Sequence, residues 1–221
     1  EMFDAILAVL EEKAASGVLV RVLYDDVGCI RTLPPKYYRR LREKGIECAR
    51  FNPFRPVMSV IMNNRDHRKI AVIDGRIAYT GGYNLADEYI NVKSRFGYWK
   101  DAGIRVTGAC VWSFTTMFLE MWDFITDSRE NYEDYIAEDA KETRLEEPGN
   151  GYIQPYGDSP MDNEDVGENV YLNLINSARH YVYIFTPYLV LTSEMSAALI
   201  NAAKSGVDVR IVVPGVPDKK L

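Results

Sequence analysis

Apolar residues recur along the chain at two different periods, and the alternation between them predicts an α/β succession of elements. Residues 1–15 bring Phe3, Ile6, Leu7 and Leu10 onto one helical face, Gly17 ends the pattern, and VLVRVLYDD follows as a strand. PPKYYRRLREKG reads as a second helix, opened by prolines and closed at Gly45. Beyond a turn-rich stretch at 52–56 come KIAVI, Asp74-Gly75 and RIAYT. Two β-branched runs split by Asp-Gly predict a hairpin, because its two-residue turn needs left-handed backbone at both central positions. GIRVTG is a further strand, and ACVWSFTTMFLEMWDFI a helix with its core stripe at Val111, Phe114, Phe118, Met121 and Ile125.

The stretch at about 127–150 reads mainly as a solvated connector. Order is expected to resume near Gly151 with a short strand and then a helix through Val170, Leu174 and Ala178. The strand YVYIFTPYL, a helix at about 193–204 and the strand of GVDVRIVVPG complete the order. The expected organisation is therefore a first unit at 1–126, a connector at 127–150 and a second unit at 151–221. The expected architecture is a mixed β-sheet flanked by helices.

An internal match sharpens that division. KAASGVLVRVLYDD (13–26) aligns without a gap to AAKSGVDVRIVVPG (202–215), sharing Ser, Gly, Val, Val and Arg at 16/205, 17/206, 18/207, 20/209 and 21/210. A repeat with this offset predicts one unit lacking its first strand, followed by the opening of a second. The chain would then be a fragment.

Composition adds little to this except through charge. With 47% hydrophobic residues a core is within reach, and no apolar run is long enough to span a membrane. The N-terminus opens in an amphipathic pattern rather than that of a signal peptide. Cys29, Cys48 and Cys110 lie far apart and read as free thiols. The net charge of −6 hides an imbalance: residues 127–168 hold 14 Asp/Glu against three Lys/Arg, which leaves +5 elsewhere. A mildly basic folded part suits an anionic substrate or surface, and no Lys/Arg run marks a nucleic-acid groove.

The chemistry concentrates in NNRDHRKIAVIDG (63–75). On a strand, His67, Lys69, Ala71 and Ile73 share one face while Arg68, Ile70 and Val72 share the other. The returning strand ends in TGGYN, where Gly81 and Gly82 allow close backbone approach and Asn84 supplies an amide. A neutral imidazole is a nucleophile or general base, Lys69 offers charge to a phosphoryl oxygen, and Asn84 and glycine N–H groups add neutral donors. Taken singly, a strand-edge histidine or lysine is an ordinary surface group, and Asp74 before Gly75 is a turn residue. Joined as H-x-K-x4-D-G-x5-G-G-x-N, the set points to phosphodiester chemistry.

This constellation resembles the phospholipase D superfamily, whose HKD motif is matched by His67, Lys69 and Asp74 with the glycine pair and Asn84 in register. Within it the chain is similar to the bacterial cardiolipin synthases, through VRVLYDDVG, GIECARFNP, NNRDHRKIAVIDG, TGGYNLADEYI, GYWKDAGIRVTG, VYIFTPYLVLTSEM and KSGVDVRIVVPGVPDKK. These segments cover nearly all of it. The family often has Gly-Ser where this chain has Gly81-Gly82.

The resemblance implies a phospholipase D-like α/β fold and a two-step exchange without metal or cofactor. One histidine forms a phosphohistidine; a second, from another HKD repeat of the same polypeptide, protonates the leaving alcohol. It implies phosphatidylglycerol, an anionic phospholipid, as donor and acceptor, and a bacterial cell membrane as the location of a full-length protein whose membrane helices are absent here. His67 is the expected nucleophile, with the acid role as alternative, and Asp101 the expected orienting carboxylate. His180, outside any HKD context, is expected at a surface or helix end. No nucleic acid is expected as partner, and the fragment alone is expected to be inactive. Another phospholipase D-type phosphodiesterase, a single-motif nuclease completed by dimerisation, and a non-catalytic module remain as alternatives.

Overall fold

In the computed structural model the described residues are 1–54, 64–95, 97–137, 152–158 and 164–216. They divide into two compact units, Glu1–Pro155 and Tyr156–Leu221.

The first unit opens with α1 (Met2–Ala15), β1 (Arg21–Asp25), the short α2 (Asp26–Cys29), α3 (Tyr37–Glu43) and β2 (Glu47–Phe51). β1 and β2 pair in parallel, Arg21 opposite Glu47 through Asp25 opposite Phe51, with α3 as the crossover between them. Leu7, Val20, Tyr37, Leu41, Ile46 and Cys48 form the core beneath the pair, with Phe3 and Leu10 of the predicted stripe packed against it. β2 had no assignment from pattern alone. Burial pushes the Cys48 thiol up to about 11.

Next come β3 (Ile70–Ile73), β4 (Ile77–Gly81) and β5 (Gly103–Thr107), an antiparallel sheet in that order, and then α4 (Val111–Thr126). The predicted hairpin forms. Asp74 (φ 53°) and Gly75 (φ 64°) both lie in the left-handed region, and the Arg76 N–H donates to the Ile73 carbonyl at 3.0 Å. β3 is half-buried: Ile70 and Val72 pack on the core of Ala78, Val106, Val111 and Phe114, whereas Ala71 and Ile73 are exposed. Gly75 is also crowded, since a Cβ there would strike the backbone carbonyl of Tyr135. Gly75→Ala should therefore destabilise the protein by about 1–3 kcal/mol, read from urea unfolding midpoints. A change below a few tenths would mean that the tip relaxes freely.

Two expectations shift here. The buried face of α4 is Val111, Phe114, Thr115, Leu119 and Trp122, so in its second half the stripe sits one residue away from Phe118 and Met121. The helix meets both β2 and the hairpin, and that double contact sets its rotation. The segment after α4 is also not merely solvated. A 3-10 turn at Tyr132–Tyr135 brings Tyr135 and Glu130 onto Arg21, whose guanidinium bonds Glu130 at 2.9 Å, the Tyr135 hydroxyl at 2.8 Å and Glu47 at 2.8 Å. The same guanidinium lies over the Trp122 ring at 5.0 Å. The remainder of the expected connector, 138–150, falls outside the described residues.

The second unit contains α5 (Val166–Ser177), β6 (Tyr181–Phe185), α6 (Ser193–Lys204) and β7 (Asp208–Val212). Residues 152–158, where a short strand was expected, are irregular. β6 and β7 are parallel, and Ile175, Ala198 and Leu199 with Val182, Ile184 and Val209 fill the space against the helices. His180 is exposed in the turn before β6, and its carbonyl accepts the Asp208 N–H at 3.0 Å.

The internal match recurs in geometry. Ser16 and Ser205 share φ −82° and ψ 1°, and Gly17 and Gly206 follow at φ 89° and 91°. Yet Lys44 and Gly45, between α3 and β2, form nearly the same cap at φ −96° and 79°. A helix turning into a strand requires such a cap wherever it occurs, so the repeat rests on the shared side chains rather than on the turn.

Candidate active site

The site is assembled where β1 and β2 end and β3 begins. Asp25, the last residue of β1, accepts hydrogen bonds at Oδ1 from the Gly28 N–H at 2.8 Å and at Oδ2 from the Asp66 N–H at 3.0 Å. Arg65 completes the set, with Nε 3.0 Å from Oδ2 and Nη2 2.9 Å from Oδ1. Beside it, Asp26 holds Arg50 at 3.2 Å and the Phe54 N–H at 2.9 Å, and the Asn52 amide donates to the Asn64 carbonyl at 3.0 Å. The approach to His67 is thus tied down from both parallel strands.

Charge is sorted along the same stretch. Arg65 is paired with Asp25, and Arg68 with Asp66 through Nε at 2.9 Å and Nη2 at 3.1 Å. Lys69 has no carboxylate within ion-pair distance among the described residues. Its Nζ instead donates to the His67 carbonyl at 2.7 Å. Burial lowers its pKa, against the raising influence of Asp66 and Asp101. His67 is exposed on one side, while desolvation on the other and the Lys69 ammonium lower its pKa below 6.5, opposed by Asp25 and Asp66. The imidazole is therefore mostly neutral near pH 7, as a nucleophile or base must be.

The other predicted residues take less direct places. Ile70 pairs with Thr80, so Lys69 and the Gly81-Gly82-Tyr83-Asn84 run leave the hairpin at the same end. Asn84 is half-buried there, its carbonyl accepting the Ala86 N–H at 3.0 Å. Asp74 sits at the opposite end of β3, roughly 15 Å of strand away from Lys69. Gly81 faces Gly103 across the sheet with the Tyr83 ring over the pair, and a Cβ on Gly81 would lie 2.5 Å from the Ala102 carbonyl. The Gly82 N–H donates to that carbonyl at 3.3 Å, so it extends the sheet rather than lining an oxyanion pocket.

Asp101 does not hydrogen-bond His67. Its Oδ2 accepts the Trp99 indole N–H at 2.9 Å and its Oδ1 the Ala102 N–H at 2.9 Å. The Trp99 ring meets Tyr89 edge-on at 5.1 Å, so Asp101 belongs to a bracket that contributes negative charge near Lys69. Asp101→Asn removes the charge and keeps one of the two acceptors of that bracket, the NH2 group facing the other donor. The pKa of Lys69 should then fall further, measured by the pH dependence of its reductive methylation; an unchanged profile would remove Asp101 from its surroundings. What pattern reading missed is Asp25. The available signal was an Asp-Asp pair at the C-terminal end of a strand, where α/β folds gather functional groups.

Comparison with known proteins identifies the family. The model of the cardiolipin synthase, PLD-like domain family matches residues 2–94 and 171–220. An uncharacterized protein of Streptococcus mutans is 50% identical over 220 residues, all of this chain and 47% of its own length. Cardiolipin synthases of Alkalihalophilus pseudofirmus and Geobacillus kaustophilus are 35% and 37% identical over 222 residues, covering 43% of each relative. The chain thus spans less than half the length of the curated relatives it matches. With a family model matched over most of its length, the chain belongs to the cardiolipin synthase, PLD-like domain family.

Proposed function

We propose that the full-length protein transfers a phosphatidyl group between two phosphatidylglycerol molecules, forming cardiolipin and glycerol, with His67 as nucleophile. The observation that carries this is the sorting of charge at 65–69. Both arginines are neutralised by carboxylates, which leaves one lysine beside a neutral imidazole. In the first step the His67 ring nitrogen forms a bond to phosphorus as the P–O bond to one glycerol breaks, and the departing alkoxide takes a proton from a second acid. In the second, the hydroxyl of another phosphatidylglycerol attacks phosphorus, its proton passes to that same group, and the P–N bond breaks. Lys69 neutralises the non-bridging oxygens in both steps, and Asn84 donates a neutral hydrogen bond. Asp74 serves the turn that returns β4 to the site.

The second acid comes, in this reading, from another HKD repeat of the same polypeptide, so this chain alone holds half of the machinery. The anionic lipid partner fits the charge map. Residues 31–44 hold six Lys/Arg against one Glu, which accounts for the whole +5 balance, and the Lys36, Arg39 and Arg40 side chains of this stretch are exposed. No helix among the described residues is long and apolar enough to cross a membrane, and attachment of the full-length protein to the bacterial membrane is part of the proposal.

The test is to incubate the full-length protein with vesicles containing phosphatidylglycerol and to measure lipid products together with free glycerol. Cardiolipin and glycerol in equal amounts are expected. Phosphatidic acid as the only product would replace the transferase reading with a hydrolase one.

A further inference from the structure

We infer that Asp25 is the positioning residue of the nucleophile: its carboxylate clamps Arg65 and the Asp66 backbone, and so sets where His67 is presented. This rests on the reading of His67 as the attacking group. Both carboxylate oxygens are engaged. Asp25 accepts hydrogen bonds from Gly28 N, Asp66 N and Arg65 Nε at 2.8 to 3.0 Å, and Arg65 Nη2 adds an ion-pair contact at 2.9 Å. Its side chain is only 9% exposed, which keeps water from competing for those sites. The bonds cross 40 and 41 positions of sequence and join the end of β1 to the residues just before His67.

The segment needs such an anchor. Residues 64–69 lie outside any strand, and the ladder begins only at Ile70. Together with the Asn52 amide on the Asn64 carbonyl, the clamp holds the backbone on the side of the imidazole away from the ladder, and it is the nearer of the two ties. Gly28 belongs to the same device, because a Cβ there would lie 3.1 Å from Arg65 Nη2. Asp25 also acts on His67 through charge. The groups that face the imidazole are Lys69 and Arg65, which lower its pKa, and Asp25 and Asp66, which raise it.

The two roles predict opposite shifts in two variants. Asp25→Asn replaces acceptor sites by an NH2 group aimed at donors and removes an anion; Arg65→Gln removes a cation and leaves the carboxylate. In the full-length protein, Asp25→Asn should lower kcat roughly 10- to 100-fold with KM little changed, as a misplaced nucleophile does. The pKa of His67 should move down in Asp25→Asn and up in Arg65→Gln, read from the pH dependence of carbethoxylation of the His67 peptide by mass spectrometry. That readout does not depend on turnover. Asp25→Glu should restore the His67 pKa in part, and circular dichroism checks that each variant folds. A kcat for Asp25→Asn within twofold of the parent, or a His67 pKa moving the same way in both arginine and aspartate variants, overturns the inference. Retained turnover in His67→Ala instead overturns the reading of the nucleophile itself.

Discussion

His67→Ala in the full-length protein is expected to reduce phosphatidyl transfer by about 10⁴-fold or more and to abolish the phosphoenzyme, because among the described residues no neighbouring group is placed to form the covalent intermediate in its stead. Lys69 carries no lone pair while protonated, and both neighbouring arginines are held by carboxylates. The sign of the pH dependence follows from the same surroundings. Desolvation and Lys69 lower the His67 pKa below 6.5, so the nucleophile is lost only as pH falls through that lowered value. The rising limb of kcat/KM in the parent protein should therefore lie below pH 6.5. Quenched reactions with labelled phosphatidylglycerol, scored for acid-labile, base-stable label on the protein, measure the intermediate directly. Label persisting in His67→Ala would assign the nucleophile elsewhere.

Lys69→Met should cost about 10²–10³-fold in kcat, the usual loss when a preorganised charge is removed from a developing oxyanion. Methionine approximates the length and apolar stem of lysine, so packing at the half-buried position is little disturbed. The loss should not be recovered from neighbours. Arg68 would have to leave its contacts with Asp66, and Arg65 its place on Asp25, with the clamp released in the exchange. Lys69→Arg should recover only part of the rate, since a planar guanidinium cannot occupy the position of a compact ammonium folded onto the His67 carbonyl. Single-turnover rates of phosphoenzyme formation separate this from changes in lipid binding. A loss smaller than tenfold would mean that the charge facing phosphorus comes from elsewhere.

What could be read before folding was local. The Asp74-Gly75 hairpin is decided by two adjacent backbone conformations, and it forms as the dipeptide requires. Helix ends at Gly17, Gly45 and Gly206 are set within one turn of chain, and the span of the helix at 193–204 follows from its own residues. The pairing of histidine and lysine is likewise a matter of spacing in a short motif, and the family is carried by segments along nearly all of the chain.

Contacts between distant segments decided the rest. ECARF becomes a strand because β1 offers it a parallel partner 26 residues away, a pairing that no window of sequence contains. The α4 stripe turned by one residue because two sheets, not one, press on that helix. Asp101, a plausible orienting carboxylate by position, is claimed by the indole and backbone next to it. Asp25 was one acid of an ordinary-looking pair until the chain brought Arg65 and Asp66 to it. Sequence by itself therefore determined the turns, the helix ends and the closeness of His67 to Lys69, since each is settled within a few bonds. Only the tertiary structure decided which charges are neutralised and which remain for a substrate, because ion pairing depends on distance in space and not on distance along the chain.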